Sequence, residues 1–134
     1  MKTLLVAVDR NDAPEMRAAL GDEFELRFCH TLQAARTGLD GIDAVLCGLH
    51  FDEGKLFALL EMLNAAPLSP RPRILCIKDA GGPLSPAIRK SIAIAVARMG
   101  ARGFTDLAEL RAGHGEAQAR RLFRDTVREL VGDA

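Results

Sequence analysis

The chain has no tryptophan and no tyrosine, and only six phenylalanines among its 134 residues. Stacking recognition of nucleic-acid bases needs aromatic platforms beside a basic groove. With those rings scarce and the net charge zero, direct contact with nucleic acid is not expected. Long apolar runs are absent too, since none approaches the roughly 20 residues that span a bilayer. Met1-Lys2 leads straight into Thr3-Leu4-Leu5-Val6-Ala7-Val8, a run too short for a secretory leader and with no small-residue cleavage site behind it. A cytoplasmic location and no membrane partner are therefore expected. Cysteine is sparse. Cys29, Cys47 and Cys76 fall in or at the ends of expected strands with no CxxC spacing. That argues against a disulfide framework and a zinc site, and for small apolar core side chains. Neither GxGxxG, a P-loop, GxSxG nor HExxH occurs, so no cofactor, no resident metal and no enzymatic activity are expected.

What is present is the composition of one globular domain: 49% hydrophobic and 27% charged residues, in a length that suits a single core. A domain over residues 1–134 is expected. The charge is unevenly spread. Residues 1–67 hold 6 basic and 11 acidic side chains, and residues 68–134 hold 12 and 7. Two halves of opposite sign can orient a protein partner.

Strand-like and helix-like segments alternate. Thr3–Val8, Phe24–Cys29, Ala44–Leu49, Ile74–Ile77 and a short Gly103–Thr105 read as strands. Several are apolar at consecutive positions, as when both faces of a parallel sheet are covered. Five strand–helix alternations imply right-handed crossovers and a doubly wound α/β domain. The size suits a five-stranded, flavodoxin-like sheet in order 2-1-3-4-5, with helices on both faces.

Helix signals agree with this pattern. Asp12 with Glu15 forms a capping-box-like start and Gly21 a stop; Thr31 can cap the second helix. The third helix starts near Gly54. Ser85-Pro86 opens the fourth, where Ile88, Ile92, Val96 and Met99 form one stripe. Gly113-His114-Gly115 should break the last helical run. An amphipathic terminal helix over residues 116–131 follows, with Arg120, Arg124 and Arg128 in an i, i+4 row. Two loops are long, Ala65–Arg73 and Asp79–Leu84, and the second is expected to be mobile.

In an open α/β sheet, ligands bind beyond the carboxyl ends of the strands. Here that edge holds Asp9-Arg10-Asn11, His50-Phe51-Asp52-Glu53, Lys78-Asp79 and Asp106-Leu107. His50, Asp52 and Glu53 form a possible ligand edge for a small molecule or a metal. Asp52 has two further readings, a relocated acceptor carboxylate and an N-cap.

The run Asp43-Ala44-Val45-Leu46-Cys47-Gly48 resembles the third strand of a response-regulator receiver domain. In that family an acidic residue opens the strand, and the phosphate-accepting Asp sits five positions later. Gly100-Ala101-Arg102-Gly103-Phe104 resembles the receiver's Gly-Ala-x-x-aromatic strand-5 signature. Element order and spacing agree over nearly the whole chain. The resemblance implies a CheY-like fold and a phosphorylation pocket. There, two acidic residues after strand 1 and the acceptor hold a divalent cation, while a Lys after strand 5 and a Ser or Thr after strand 4 contact the phosphoryl group.

Carried over residue by residue, this chain keeps Asp9 of the acidic pair but follows it with Arg10. The acceptor position is Gly48, the hydroxyl position Ile77 and the lysine position Leu107, and Asp52 stands where a Pro is usual. The resemblance thus implies a pseudo-receiver whose degenerate pocket comprises Asp9, Arg10, Gly48, Ile77, Lys78 and Leu107. Asp9, Arg10 and Lys78 are expected to form a metal-free polar cluster, the guanidinium standing in for the cation. The function implied is bacterial two-component-type signalling through protein contacts, without phosphorylation. The expected partner surface is Arg98, Arg102, Phe104 and the Arg120/Arg124/Arg128 row. Homodimerisation would use the face made by the fourth helix, fifth strand and last helix. Two alternatives stand beside it: a small-molecule-binding or catalytic domain using the strand edge, and the N-terminal regulatory domain of a larger transcriptional regulator.

Overall fold

In a computed structural model, which describes residues 1–132, the five apolar runs form one parallel sheet. Asp133 and Ala134, the end of the expected 1–134 domain, lie outside the described residues. The strands are β1 (Thr3–Ala7), β2 (Glu25–Cys29), β3 (Ala44–Gly48), β4 (Arg73–Lys78) and β5 (Gly103–Asp106), in spatial order β2-β1-β3-β4-β5. This is the flavodoxin-like order expected. Registers such as Val6↔Leu46 and Leu46↔Leu75 carry the apolar rows across the middle strands. β3 is buried at every position, whereas edge strand β2 alternates between exposed and covered residues.

Among the described residues, four α-helices connect the strands, α1 (Ala13–Leu20), α2 (Leu32–Thr37), α3 (Leu56–Ala65) and α4 (Pro86–Arg98), and two follow β5, α5 (Leu107–His114) and α6 (Glu116–Val131), with a short 3-10 helix over Arg10–Asp12. Thr31 and Ser85 cap α2 and α4 as expected, accepting from Ala34 N and Ile88 N at 3.1 and 3.3 Å. Asp12 does not cap α1. Its backbone is already helical (φ −90°, ψ −13°) and its side chain makes no cap bond, because a capping side chain needs an extended backbone to reach back. Asp9 has that conformation and caps the 3-10 helix, accepting from Asn11 N at 3.0 Å. α3 starts at Leu56 rather than near Gly54, since Asp52, Glu53 and Gly54 all have positive φ (45°, 59° and 87°). The break in the last run falls at Gly115 (φ 81°), with Gly113 and His114 still inside α5.

Two apolar layers sandwich the sheet. On one face Val6, Leu46 and Ile77 pack with Met16 and Leu20 of α1 and with Phe123, Val127 and Leu130 of α6. On the other Leu5, Val45 and Cys76 pack with Leu56, Leu59, Leu60 and Leu63 of α3 and Val96 of α4. Cys29, Cys47 and Cys76 belong to this second layer. Burial pushes the Cys29 thiol up to about 11 and raises the Cys47 thiol well above its ordinary value, which keeps them protonated core groups. The stripe of α4 is only partly covered: Val96 is buried, but Ile88 is 53% exposed. α4 packs on edge strand β5, so its first turn has no further strand beneath it.

Candidate functional site

The carboxyl edge of the sheet is where the strand-end residues converge. Gly48 ends β3 opposite Ile77 of β4. A Cβ added at Gly48 would lie 3.3 Å from Val8 Cγ1 and 3.4 Å from the Ala7 carbonyl oxygen, so a side chain here would need its neighbours to give by a few tenths of an ångström. Ile77 and Leu107 are 1% and 3% exposed and belong to the core layer beneath α6. Neither position offers a polar group to the edge.

The expected Asp9–Arg10–Lys78 cluster does not form. Asp9 is committed to the Asn11 N–H and Arg10 is exposed. Lys78 is buried and donates through Nζ to the Gly82 carbonyl. None of the ion pairs among the described residues includes these three side chains. The reason is local: the 3-10 helix turns position 10 outward, and the Asp79–Leu84 loop folds over the lysine.

A different cluster occupies the edge: Asp79, which the sequence places there, joins Asp12 and Arg111, which it does not. Arg111, on α5, donates from Nη2 to the Asp79 carboxylate (Oδ1, 2.7 Å) and to the Asp79 carbonyl (2.9 Å). Asp79 and Asp12 are 7% exposed. Burial holds the Asp12 carboxyl above its ordinary range, reinforced by the negative charges of Asp79 and Asp9 and opposed by His50 and Arg111. Leu107 is apolar and buried, while Arg111, one helical turn further along α5, brings a cation over the edge.

The same contacts hold the loop between β4 and α4, which the sequence reading expected to be mobile. Arg111 fastens Asp79 at its start and Lys78 fastens Gly82. Buried Asp106 fastens its end, accepting from Leu84 N at 2.8 Å while capping α5 through Glu109 N at 3.2 Å. Arg89 approaches Asp106 at 3.7 Å and pairs with Glu109 at 2.5 Å. The sequence signal for this cap was available: Asp106 followed by Glu109 is a capping-box spacing.

His50, Asp52 and Glu53 are not gathered into a ligand set. His50 and Glu53 are exposed. Asp52 accepts from Leu32 N at 2.9 Å and pairs with Lys55 at 3.4 Å; the Leu32 bond first, then Lys55, holds its carboxyl below the usual range. It therefore ties the β3–α3 turn to the start of α2 rather than capping α3, whose N-cap is Lys55. Among the described residues, no group of three or more His, Cys, Asp or Glu side chains is placed to hold a metal ion. A cavity beside Leu107 and Arg111 measures only 10 Å³.

The expected partner surface divides in two. Arg98 and Arg102 are exposed, and half-buried Phe104 packs against the second core layer. The Arg row of α6 is engaged within the domain. Arg120 grips Glu15 of α1 through two bonds (2.8 and 2.9 Å) and Glu116 through a third (2.8 Å). Arg124 donates to the Ala19 carbonyl at 3.0 Å. Arg128 makes two 2.6 Å bonds to Glu23 and one of 2.9 Å to Asp125. The Glu23 carboxyl is held below its usual range by Arg128, and both guanidiniums titrate higher than usual because of their carboxylate partners. These arginines clamp α6 to α1 and to the turn before β2.

No family model and no curated protein matches the chain. Solved structures do resemble it. The phosphorylated cyanobacterial phytochrome response regulator RcpA superposes with a TM-score of 0.75 at 11% identity, covering 99% of this chain and 96% of that one. The receiver domain of sensor histidine kinase PA1611 from Pseudomonas aeruginosa PAO1, which holds a magnesium ion in its active site cleft, gives 0.69 at 12%, covering 98% of each chain. NtrX from Brucella abortus gives 0.59 at 21%, covering all of this chain and 31% of that one. The fold is that of receiver domains. Among the described residues, no helix is long and apolar enough to cross a membrane.

Proposed function

We propose that residues 1–134 form one receiver-like signalling domain that acts in bacterial two-component-type regulation through protein contacts rather than by accepting a phosphoryl group. One observation carries the proposal. The place of the reactive pocket is taken by Gly48, with no side chain, and by a closed Asp79–Arg111 pair beside buried Asp12. Phosphoryl transfer to a carboxylate requires the nucleophile, a hard cation in oxygen ligands and a positive group on the transferred oxygens. Here the first is missing, and the guanidinium that could serve as the third is bound to a resident carboxylate.

The pinned β4–α4 loop supports a fixed surface. In receivers, the resemblance implies, the strand-5 aromatic and the strand-4 hydroxyl move together on activation. Phe104 faces a strand that ends in Ile77 and buried Lys78, and Leu84, Gly82 and Asp79 are each held in place. The surface left for a partner is the exposed side of α4 with Arg98 and Arg102. The NtrX likeness, in which a receiver-fold segment makes up about a third of a longer chain, supports a second form of the same reading: a regulatory segment joined to an output domain.

The test is titration with magnesium and beryllofluoride, a phosphoryl mimic, followed by amide NMR. The proposal expects no saturable shifts at Asp9, Asp12, Gly48 or Asp79. Saturable, magnesium-dependent shifts there would overturn it.

A further inference from the structure

Two surfaces of the chain are apolar, uncovered and opposite in charge. The first is the outer side of α4. At 100° per residue, Ala87, Ile88, Ser91, Ile94 and Ala95 cover about 120° of the helix circumference. Ile88 and Ile94 are 53% and 45% exposed, and they share this one face rather than being scattered singly. Residues 85–102 contain four basic side chains and no acidic one. Arg89 is paired with Glu109, but Lys90, Arg98 and Arg102 enter none of the ion pairs among the described residues. Lys90 and Arg98, eight residues apart, stand about 12 Å from each other along the helix.

The second surface is a groove of about 800 Å³ between α2 and α3. It exists because α2 has 6 residues and α3 has 10, so the shorter helix leaves part of its neighbour bare. Leu32, Leu39, Met62 and Leu68 form its apolar walls, with Asp40, Glu61 and Arg36 beside them, two carboxylates to one guanidinium. Residues 31–67 contain five acidic and two basic side chains. Lys55 is paired with Asp52, while the Asp40 and Glu61 carboxylates enter no ion pair among the described residues. A narrow apolar ridge flanked by cations thus matches an apolar groove whose charged lining is net negative, Asp40 and Glu61 outweighing Arg36, and both belong to one chain of zero net charge.

We infer that the α2–α3 groove is a docking site for α4 of a second copy of this chain, with Ile94 and Ile88 entering the groove and Lys90 and Arg98 facing Asp40 and Glu61. Ridge and groove are different surfaces, so the contact is heterologous: each copy offers one of each, and association continues into rings or open chains rather than stopping at a symmetric dimer. This differs from pairing of two identical α4–β5–α6 faces. The inference names one protein partner for the receiver-like reading, but it rests on ridge and groove alone and stands whatever the phosphorylation outcome.

Sedimentation velocity over a concentration series tests it, using Ile94→Glu to spoil the ridge and Met62→Glu to spoil the groove. The wild type should grow beyond dimer as concentration rises, less so at high salt. Each variant alone should weaken association about tenfold or more, as loss of a central apolar anchor does. An equimolar mixture should form a dimer that grows no further, since one intact ridge meets one intact groove. Charge reversal at exposed Glu61 (Glu61→Lys) should weaken association and leave the thermal unfolding midpoint in place, separating a lost contact from a lost fold. A wild type that stays monomeric overturns the inference. So does one that halts at dimer, a single variant that assembles like the wild type, or a mixture with no dimer.

Discussion

Whether α6 is part of the domain's core or an arm held ready for a partner can be decided by comparing two substitutions. Phe123 is 1% exposed, in the layer where Leu20, Val127 and Leu130 meet the sheet. Truncation to alanine removes a ring that its neighbours cannot collapse to replace, so Phe123→Ala should cost about 3–5 kcal/mol. That is a large part of the roughly 5–15 kcal/mol that stabilises an ordinary domain. Arg120 makes three bonds, but it is 33% exposed and its partners Glu15 and Glu116 are 24% and 65% exposed. Water screens the pair, and Arg120→Ala should cost at most about 1 kcal/mol. A double-mutant cycle with Glu15→Ala should return a coupling of the same small size. Urea unfolding followed by circular dichroism reads both values, with the slope checked for constancy. A loss below about 1 kcal/mol for Phe123→Ala would refute the placement of α6 in the core. A loss at Arg120 equal to that at Phe123 would refute the ranking of packing over the clamp.

Other outcomes follow from the strand edge. Asp12 has a carboxyl pKa raised by burial and by Asp79 and Asp9, so its ionised form is disfavoured in the native state. That makes stability fall as pH rises from the ordinary carboxylate range through the raised value. Asp12→Asn should therefore stabilise the protein at neutral pH, and the difference should vanish below about pH 4; chemical denaturation at the two pH values reads it. At Gly48, alanine gains about 0.5–1 kcal/mol of backbone rigidity and meets Val8 and Ala7 at 3.3–3.4 Å. The two effects oppose, and Gly48→Ala should stay within about 1 kcal/mol of wild type by thermal unfolding. Gly48→Asp should still gain no phosphoryl group from acetyl phosphate, because Leu107 supplies no ammonium and Arg111 stays on Asp79.

The sheet was legible because its central strands are apolar on both faces and its breaks are chemically marked. Ser85-Pro86 opens α4 and Gly115 closes α5 where the residue types require. That Gly48, Ile77 and Leu107 carry no polar side chain is also read directly from the sequence. The pairs formed around the strand edge and α6 could not be read that way. The Asp79–Arg111 pair joins residues 32 apart, and the clamps of Arg120 and Arg128 join residues 105 apart. An i, i+4 row of arginines looks the same on paper whether it faces solvent or a neighbouring helix. Asp12 was read as a cap because the Asp12–Glu15 spacing permits one; the 3-10 helix before it had already set its backbone. Ile88 fitted a helical stripe, yet its exposure depends on α4 lying over an edge strand.

The central claim is that this receiver fold does not take up a phosphoryl group, and intact-mass spectrometry after incubation with acetyl phosphate and magnesium tests it most directly. The mass should be unchanged in the wild type under conditions that label a receiver domain with an intact pocket run in parallel. A mass increase of one phosphoryl group, removed by hydroxylamine and mapped to Asp9, Asp12, Asp52 or Asp79, would contradict it.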